Sequence, residues 1–153
     1  MELLQRQKEV RHEMEFKQPK KETLKVIVDS NALFIPLQFK VDIFAELKTL
    51  LNRNFELILL SAVKHELETL AEKGGPKIQK NAIYALELGN KCKYYETKGM
   101  GNTLVDDVIV KMAIRWSAPV FTNDKQLRKR LRDISIPVIY LRQKSRLGTD
   151  GMI

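Results

Sequence analysis

Short apolar runs recur along this chain, and after each the apolar residues return at every third or fourth position. The runs lie at about 25–28 (KVIV), 57–60 (LILL), 93–95 (KYY), 120–122 (VFT) and 137–141 (PVIYL). Most lack polar alternation, which predicts strands covered on both faces, as in a parallel sheet. The stretches between them predict helices. Asp42 opens DIFAELKTLLN, Ser61 is placed to cap AVKHELETLAEK ahead of Gly74-Gly75, and Pro76 suits the first turn of the next helix, KIQKNAIYALELGNK. Asn102 or Thr103 is placed to cap TLVDDVIVKMAIRW, which must stop before Pro119, and Asp124 begins DKQLRKRLRD. Strands alternating with helices predict an α/β fold, a central parallel sheet of about five strands with helices on both faces.

Set against this frame, the acidic residues are unevenly placed. Asp29 ends the first strand, directly after three apolar residues, and a carboxylate in that position needs a partner, a hydrogen bond or a metal. Glu66 lies about one and a half turns into the helix after the second strand, and Asp106 and Asp107 fall in the first turn after the loop KGMGNT. Asp124 follows the fourth strand. All five map to the carboxyl edge of the sheet, where doubly wound folds bind ligands. Each has a plainer explanation alone: Asp106 and Asp107 complement a helix dipole, Asp124 caps a helix, and Glu66 pairs with a lysine of its own helix. Together, carboxylates on one edge repel one another unless cations neutralise them. Oxygen-only ligands favour hard ions, Mg²⁺ or Mn²⁺, with Ca²⁺ also compatible. His65 neighbours Glu66, but helical neighbours point about 100° apart, and it reads as a structural or surface residue.

Charge adds a second feature. The chain carries a formal net charge of +8, and residues 125–146 hold eight of its basic residues against Asp133 alone. Lys125, Arg128, Lys129, Arg130 and Arg132 begin that segment, immediately after Asp124, where they would bring a phosphate backbone over the acids. Tyr94 and Tyr95 are of a type that stacks on bases, with at least one expected to face the core. Phe34, Phe39, Phe44 and Trp116 are expected in core packing.

The length of 153 residues suits one domain, divided as an N-terminal extension over 1–22, a body over 23–143 and a flexible tail over 144–153. The extension mixes charges of both signs and has a thin apolar face. No apolar run approaches the roughly 18 residues of a membrane span, and no signal-peptide core is present. One cysteine, Cys92, and two histidines make a Cys/His zinc site improbable on composition. The expected location is the cytoplasm.

The ordered set VIVDSNAL, LLSAVKHELETL, VDDVIVKMAI and PVFTNDKQL resembles the signature blocks of the PIN domain (PilT N-terminus) family over about residues 24–142. That resemblance implies a Rossmann-like α/β/α sandwich and a metal-dependent ribonuclease using one or two Mg²⁺ or Mn²⁺ ions. Its catalytic acids fall on Asp29, Glu66, Asp106 and Asp124, and these four with Asp107, an extra acid beside Asp106, are the implied metal ligands. Asn31, Thr122 and Asn123 are the supporting polar residues. The doubled aspartate and the basic stretch are similar to the branch that processes ribosomal RNA, and the toxin branch is the nearest alternative. Single-stranded RNA, including a ribosomal RNA precursor, is the implied substrate. A second copy of the chain and a protein partner in an RNA-processing complex are further contacts to expect. The competing class is an RNA-binding ribosome-assembly module with little activity. All four acid positions are filled, which favours the enzyme.

Overall fold

A computed structural model describes residues 23–101 and 103–153. The first strand, β1 (Leu24–Val28), buries Val26, Ile27 and Val28 completely, as expected of a strand with both faces covered. It is followed by α1 (Ser30–Phe39) and α2 (Ile43–Leu51). Then come β2 (Phe55–Leu60), α3 (Ser61–Lys73), α4 (Pro76–Gly89) and β3 (Lys93–Tyr95). The chain continues through α5 (Val105–Trp116), β4 (Val120–Phe121), α6 (Lys125–Asp133), β5 (Val138–Arg142) and β6 (Arg146–Asp150).

The sheet order is β3-β2-β1-β4-β5-β6. The first five strands pair in parallel and β6 pairs antiparallel with β5. This is the expected α/β fold with a mostly parallel central sheet flanked by helices, and it has six strands where about five were predicted. The order runs outward from β1 to β3 and then returns to place β4 on the other side of β1. The connections therefore diverge between β1 and β4, and a crevice opens there at the carboxyl ends of the strands. Asp29 follows β1 directly, and Thr122, Asn123 and Asp124 follow β4.

The core is one cluster of β1, β2, β4 and β5 side chains with the inward faces of the helices. In α5, Val108, Ile109, Met112 and Ala113 are fully buried at helical spacing. Phe34, Phe39, Phe44 and Trp116 pack against this cluster as partly buried residues. Among the described residues no helix is long and apolar enough to cross a membrane.

Five sequence expectations need correction or extension. The helix α1 was not predicted, because Pro36 lies inside it and its residues form an apolar run without clear periodicity. Ser61 does not cap α3: Leu60 is the capping residue, with no side-chain hydrogen bond. The Ser61 hydroxyl instead accepts from the Thr97 amide at 3.0 Å and pairs with the Thr97 hydroxyl, tying α3 to the loop after β3. Thr103 does not cap α5, which starts from Leu104, and Asn102 lies outside the described residues. Tyr94 and Tyr95 both remain exposed, at 50% and 40%, because β3 is an edge strand; neither faces the core. Tyr95 meets Trp116 edge to face at 4.8 Å, and the Lys64 ammonium lies 5.1 Å from the Tyr94 ring.

The segment 144–153, expected as a flexible tail, contributes β6. Gln143 and Lys144 both adopt left-handed φ, 55° and 59°, as a tight primed hairpin turn requires. Neither is Gly, Asn or Asp, so the turn carries no usual sequence signal. The 1–22 extension lies outside the described residues.

Asp42 behaves as predicted, accepting a hydrogen bond from the Ala45 amide at 3.1 Å at the start of α2. Replacing it by alanine leaves that amide without its cap. Asp42→Ala is expected to cost about 1 kcal/mol, read by denaturant unfolding at pH 7. A change below a few tenths of a kcal/mol would mean that water replaces the cap at no cost.

Candidate active site

Asp29 occupies the end of β1 and the start of α1 at once. It is 4% exposed, and its carboxylate is held on both oxygens. Oδ1 accepts from the Ser30 amide at 2.8 Å, the capping contact of α1. Oδ2 accepts from the Thr122 hydroxyl at 2.8 Å and from the Asn31 amide group at 3.2 Å. The fully buried Thr122 thus joins the end of β4 to the end of β1 across the crevice.

Asn31 completes that junction. Its Oδ1 accepts from the Asn123 amide at 2.9 Å, while the Asn123 side-chain oxygen accepts from the Leu141 amide at 2.8 Å. The supporting polar residues therefore tie β1, β4 and β5 together. Thr122 also accepts from the Asp124 amide at 3.1 Å. Asp124 itself caps α6, receiving the Gln126 and Leu127 amides at 2.8 and 3.1 Å on one oxygen. The cap expected from sequence is present, and it leaves the second oxygen of Asp124 for another partner.

Ser30 was not singled out in the sequence. Its amide donates to Asp29 and its hydroxyl donates to Glu66 Oε1 at 2.5 Å, so one residue orients two acids from different elements. The available signal was its place, directly after a strand-ending acid. His65, next to Glu66, is exposed, in line with the surface reading.

The acids feel one another. Burial pushes the Asp29 carboxyl up from 3.8 to about 6, against the lowering effect of the Thr122 and Ser30 hydrogen bonds. The charges of Asp106 and Glu66 raise it further. Burial also raises Asp106, followed by the charges of Asp124 and Glu66, while Arg130 opposes the rise. Asp29, Glu66, Asp106 and Asp124 thus form one electrostatic cluster at the strand ends. Among the described residues, however, no group of three or more Asp, Glu, His or Cys side chains stands close enough to hold a metal ion unaided. The donor chemistry, hard carboxylate oxygens carrying mutually repelling charge, fits a divalent cation. Water would have to complete its coordination.

Asp107 is placed differently. It pairs with Arg130 at 2.6 Å, both side chains being roughly half exposed. The other basic residues of α6 also separate by task. Arg128 and Arg132 approach Asp150 on β6 at 3.2 and 3.7 Å, and Arg128 stacks 3.6 Å from the centre of the Tyr140 ring. Lys125 and Lys129 are exposed. Asp150 lies in the segment read as a tail, so this partnership was invisible in the sequence.

A family model described as a PIN-like domain matches residues 26–144. Ribonuclease VapC4 of Methanocaldococcus jannaschii is 32% identical over 134 residues, 84% of this chain and 98% of its own length. Ribonuclease VapC9 of Archaeoglobus fulgidus is 29% identical over 121 residues, 79% of this chain and 85% of its own. Among solved structures, that of the PIN domain endonuclease Utp24 is similar with a TM-score of 0.71 and 27% identity, over 84% of this chain and 92% of that one. A domain of a functionally unknown protein from Methanocaldococcus jannaschii shares the fold, with a TM-score of 0.56 and 19% identity.

Proposed function

Because this chain belongs to the PIN-like domain family, and its relatives are named ribonucleases and an endonuclease, we propose that it is a divalent-metal-dependent endoribonuclease acting on single-stranded RNA. The observation that carries this reading is the cluster of Asp29, Glu66, Asp106 and Asp124 at the crevice between β1 and β4. Burial raises the Asp29 carboxyl, and the charges of Asp106 and Glu66 add to that rise.

Asp29, Asp106 and Asp124 would hold the ion together with bound waters that complete its coordination, and Glu66 would complete the site through such a water. A bound Mg²⁺ or Mn²⁺ ion supplies an acidified water and a positive charge beside the phosphodiester. The protein's own part is orientation. Ser30 sets Glu66 against Asp29, Thr122 fixes the second oxygen of Asp29, and the cap at α6 aims Asp124. Lys125 and Lys129, exposed beside the crevice, draw the phosphate backbone in without reading its sequence.

Two finer readings of the substrate share this chemistry. Action on a ribosomal RNA precursor draws support from the likeness to the Utp24 endonuclease. A toxin-type ribonuclease draws support from the two relatives named VapC. Depletion that causes a ribosomal RNA precursor to accumulate supports the first. Growth arrest on expression, relieved by a co-expressed partner protein, supports the second.

The chemistry is tested by incubating a labelled single-stranded RNA with the protein in Mn²⁺, in Mg²⁺ and in EDTA. Internal cuts with either metal and none in EDTA are expected. Equal cutting in EDTA would remove the metal from the proposal. Binding without cutting under all three conditions would favour the assembly-module reading.

A further inference from the structure

Resting on the ribonuclease reading, we propose that Arg130 binds the RNA phosphate presented to the acid cluster, taking it in exchange for Asp107. Asp107 is then a holder for Arg130 and not a fifth metal ligand. The observation is a division of labour on α6. Arg128 and Arg132 face Asp150, and the Tyr140 ring covers Arg128, so these two fasten α6 to the β5–β6 hairpin. Arg130 turns the other way, to the residue next to Asp106.

Position makes this cation distinct. Asp106 belongs to the acid cluster, and α6 begins immediately after Asp124. Arg130 therefore reaches from one acid-bearing element to another, and its charge is felt at Asp106. A phosphate approaching four carboxylates needs a cation at short range, and a guanidinium binds phosphate and carboxylate through the same planar donor fork. The pair it leaves is about half exposed, at 49% and 42%. Such a pair contributes little to stability and is readily exchanged. If Asp107 bound a metal ion instead, it would have to release Arg130 and set that positive charge against the ion.

The experiment compares the parent with Arg130→Ala, Arg130→Lys and Asp107→Asn. It measures kcat and KM on single-stranded RNA with Mn²⁺, Mn²⁺ affinity by calorimetry, RNA binding in EDTA by fluorescence anisotropy, and thermal midpoints. Arg130→Ala is expected to lower kcat about tenfold to thirtyfold, the scale of one charged hydrogen bond, with its midpoint unchanged. Arg130→Lys restores part of that loss. Asp107→Asn leaves Mn²⁺ affinity unchanged and tightens RNA binding at low salt about threefold, the scale of one exposed ion pair removed from competition.

An Asp107→Asn variant that loses Mn²⁺ affinity overturns the proposal, because Asp107 is then a ligand. An Arg130→Ala variant with unchanged kcat and a lowered midpoint also overturns it, showing a structural staple only. If the parent binds RNA and cuts none, the nuclease reading fails separately. Binding in EDTA still decides the exchange: Asp107→Asn must tighten it and Arg130→Ala must weaken it.

Discussion

Asp29→Asn is expected to lower RNA cleavage about a thousandfold, the upper range for losing one preorganised charged contact at a reacting centre, while the fold is retained. Asparagine has the same shape. Its oxygen can still accept from the Ser30 amide, so the cap of α1 survives. Its amide nitrogen would meet the Thr122 hydroxyl, which can turn its hydrogen toward Asn31 Oδ1, already 3.4 Å away, and it would give up only the 3.2 Å hydrogen bond from the Asn31 amide group. The main loss is therefore one of charge and metal affinity. The measurement is single-turnover cleavage in Mn²⁺, with Mn²⁺ affinity in parallel. A variant that cuts at the parental rate would exclude Asp29 from the chemistry. One that binds Mn²⁺ normally yet does not cut would move the ion to the other acids and leave Asp29 a different role.

The second large effect concerns stability without metal. The Asp29 carboxyl stands at about 6 in the folded protein against an ordinary 3.8. Below about pH 3 both states hold the proton and Asp29 carries no penalty. As pH rises from 3.8 to about 6 the unfolded chain gives up its proton while the folded state keeps it, so stability falls across that window. Above about pH 7 the loss is complete, and a difference of two pKa units amounts to about 3 kcal/mol. The raised carboxyl of Asp106 acts in the same direction. In EDTA, then, Asp29→Asn should match the parent at about pH 3 and exceed it near pH 7. Denaturant unfolding of both proteins at several pH values gives the difference curve. A flat difference, or a parent more stable near pH 7, would show that hydrogen bonds outweigh burial at Asp29. Mn²⁺ added at pH 7 should stabilise the parent more than the variant, because binding to the folded state shifts the equilibrium only where affinity exists.

These two results would separate chemistry from packing at one residue. They would also explain why a cluster that weakens the metal-free fold is built into the protein: the same burial and neighbouring charge that raise Asp29 favour a divalent cation.

The chain's own pattern determined a good deal. KVIV ending in Asp29, LILL before α3, and the apolar spacing of α5 are local statements, since burial on both faces and helical periodicity are written in neighbouring residues. From them followed the α/β class and the gathering of the acids on one sheet edge. Where side-chain chemistry overrode a local rule, the sequence misled. Pro36 hid α1, Ser61 left its capping position for Thr97, and the hairpin turn at Gln143 and Lys144 used residues with no turn signature.

Tertiary structure alone decided the partnerships. That Ser30 orients Glu66, that Asn31 meets Asn123, that Asp107 holds Arg130 and that Asp150 takes Arg128 and Arg132 are contacts between residues far apart in the chain or on different elements. Residue type states that a carboxylate or guanidinium needs a partner, because an uncompensated charge is costly. Which partner it finds depends on the strand order 3-2-1-4-5-6 and on the antiparallel return of β6. Composition and periodicity encode how an element buries its face, not which elements come to lie beside it.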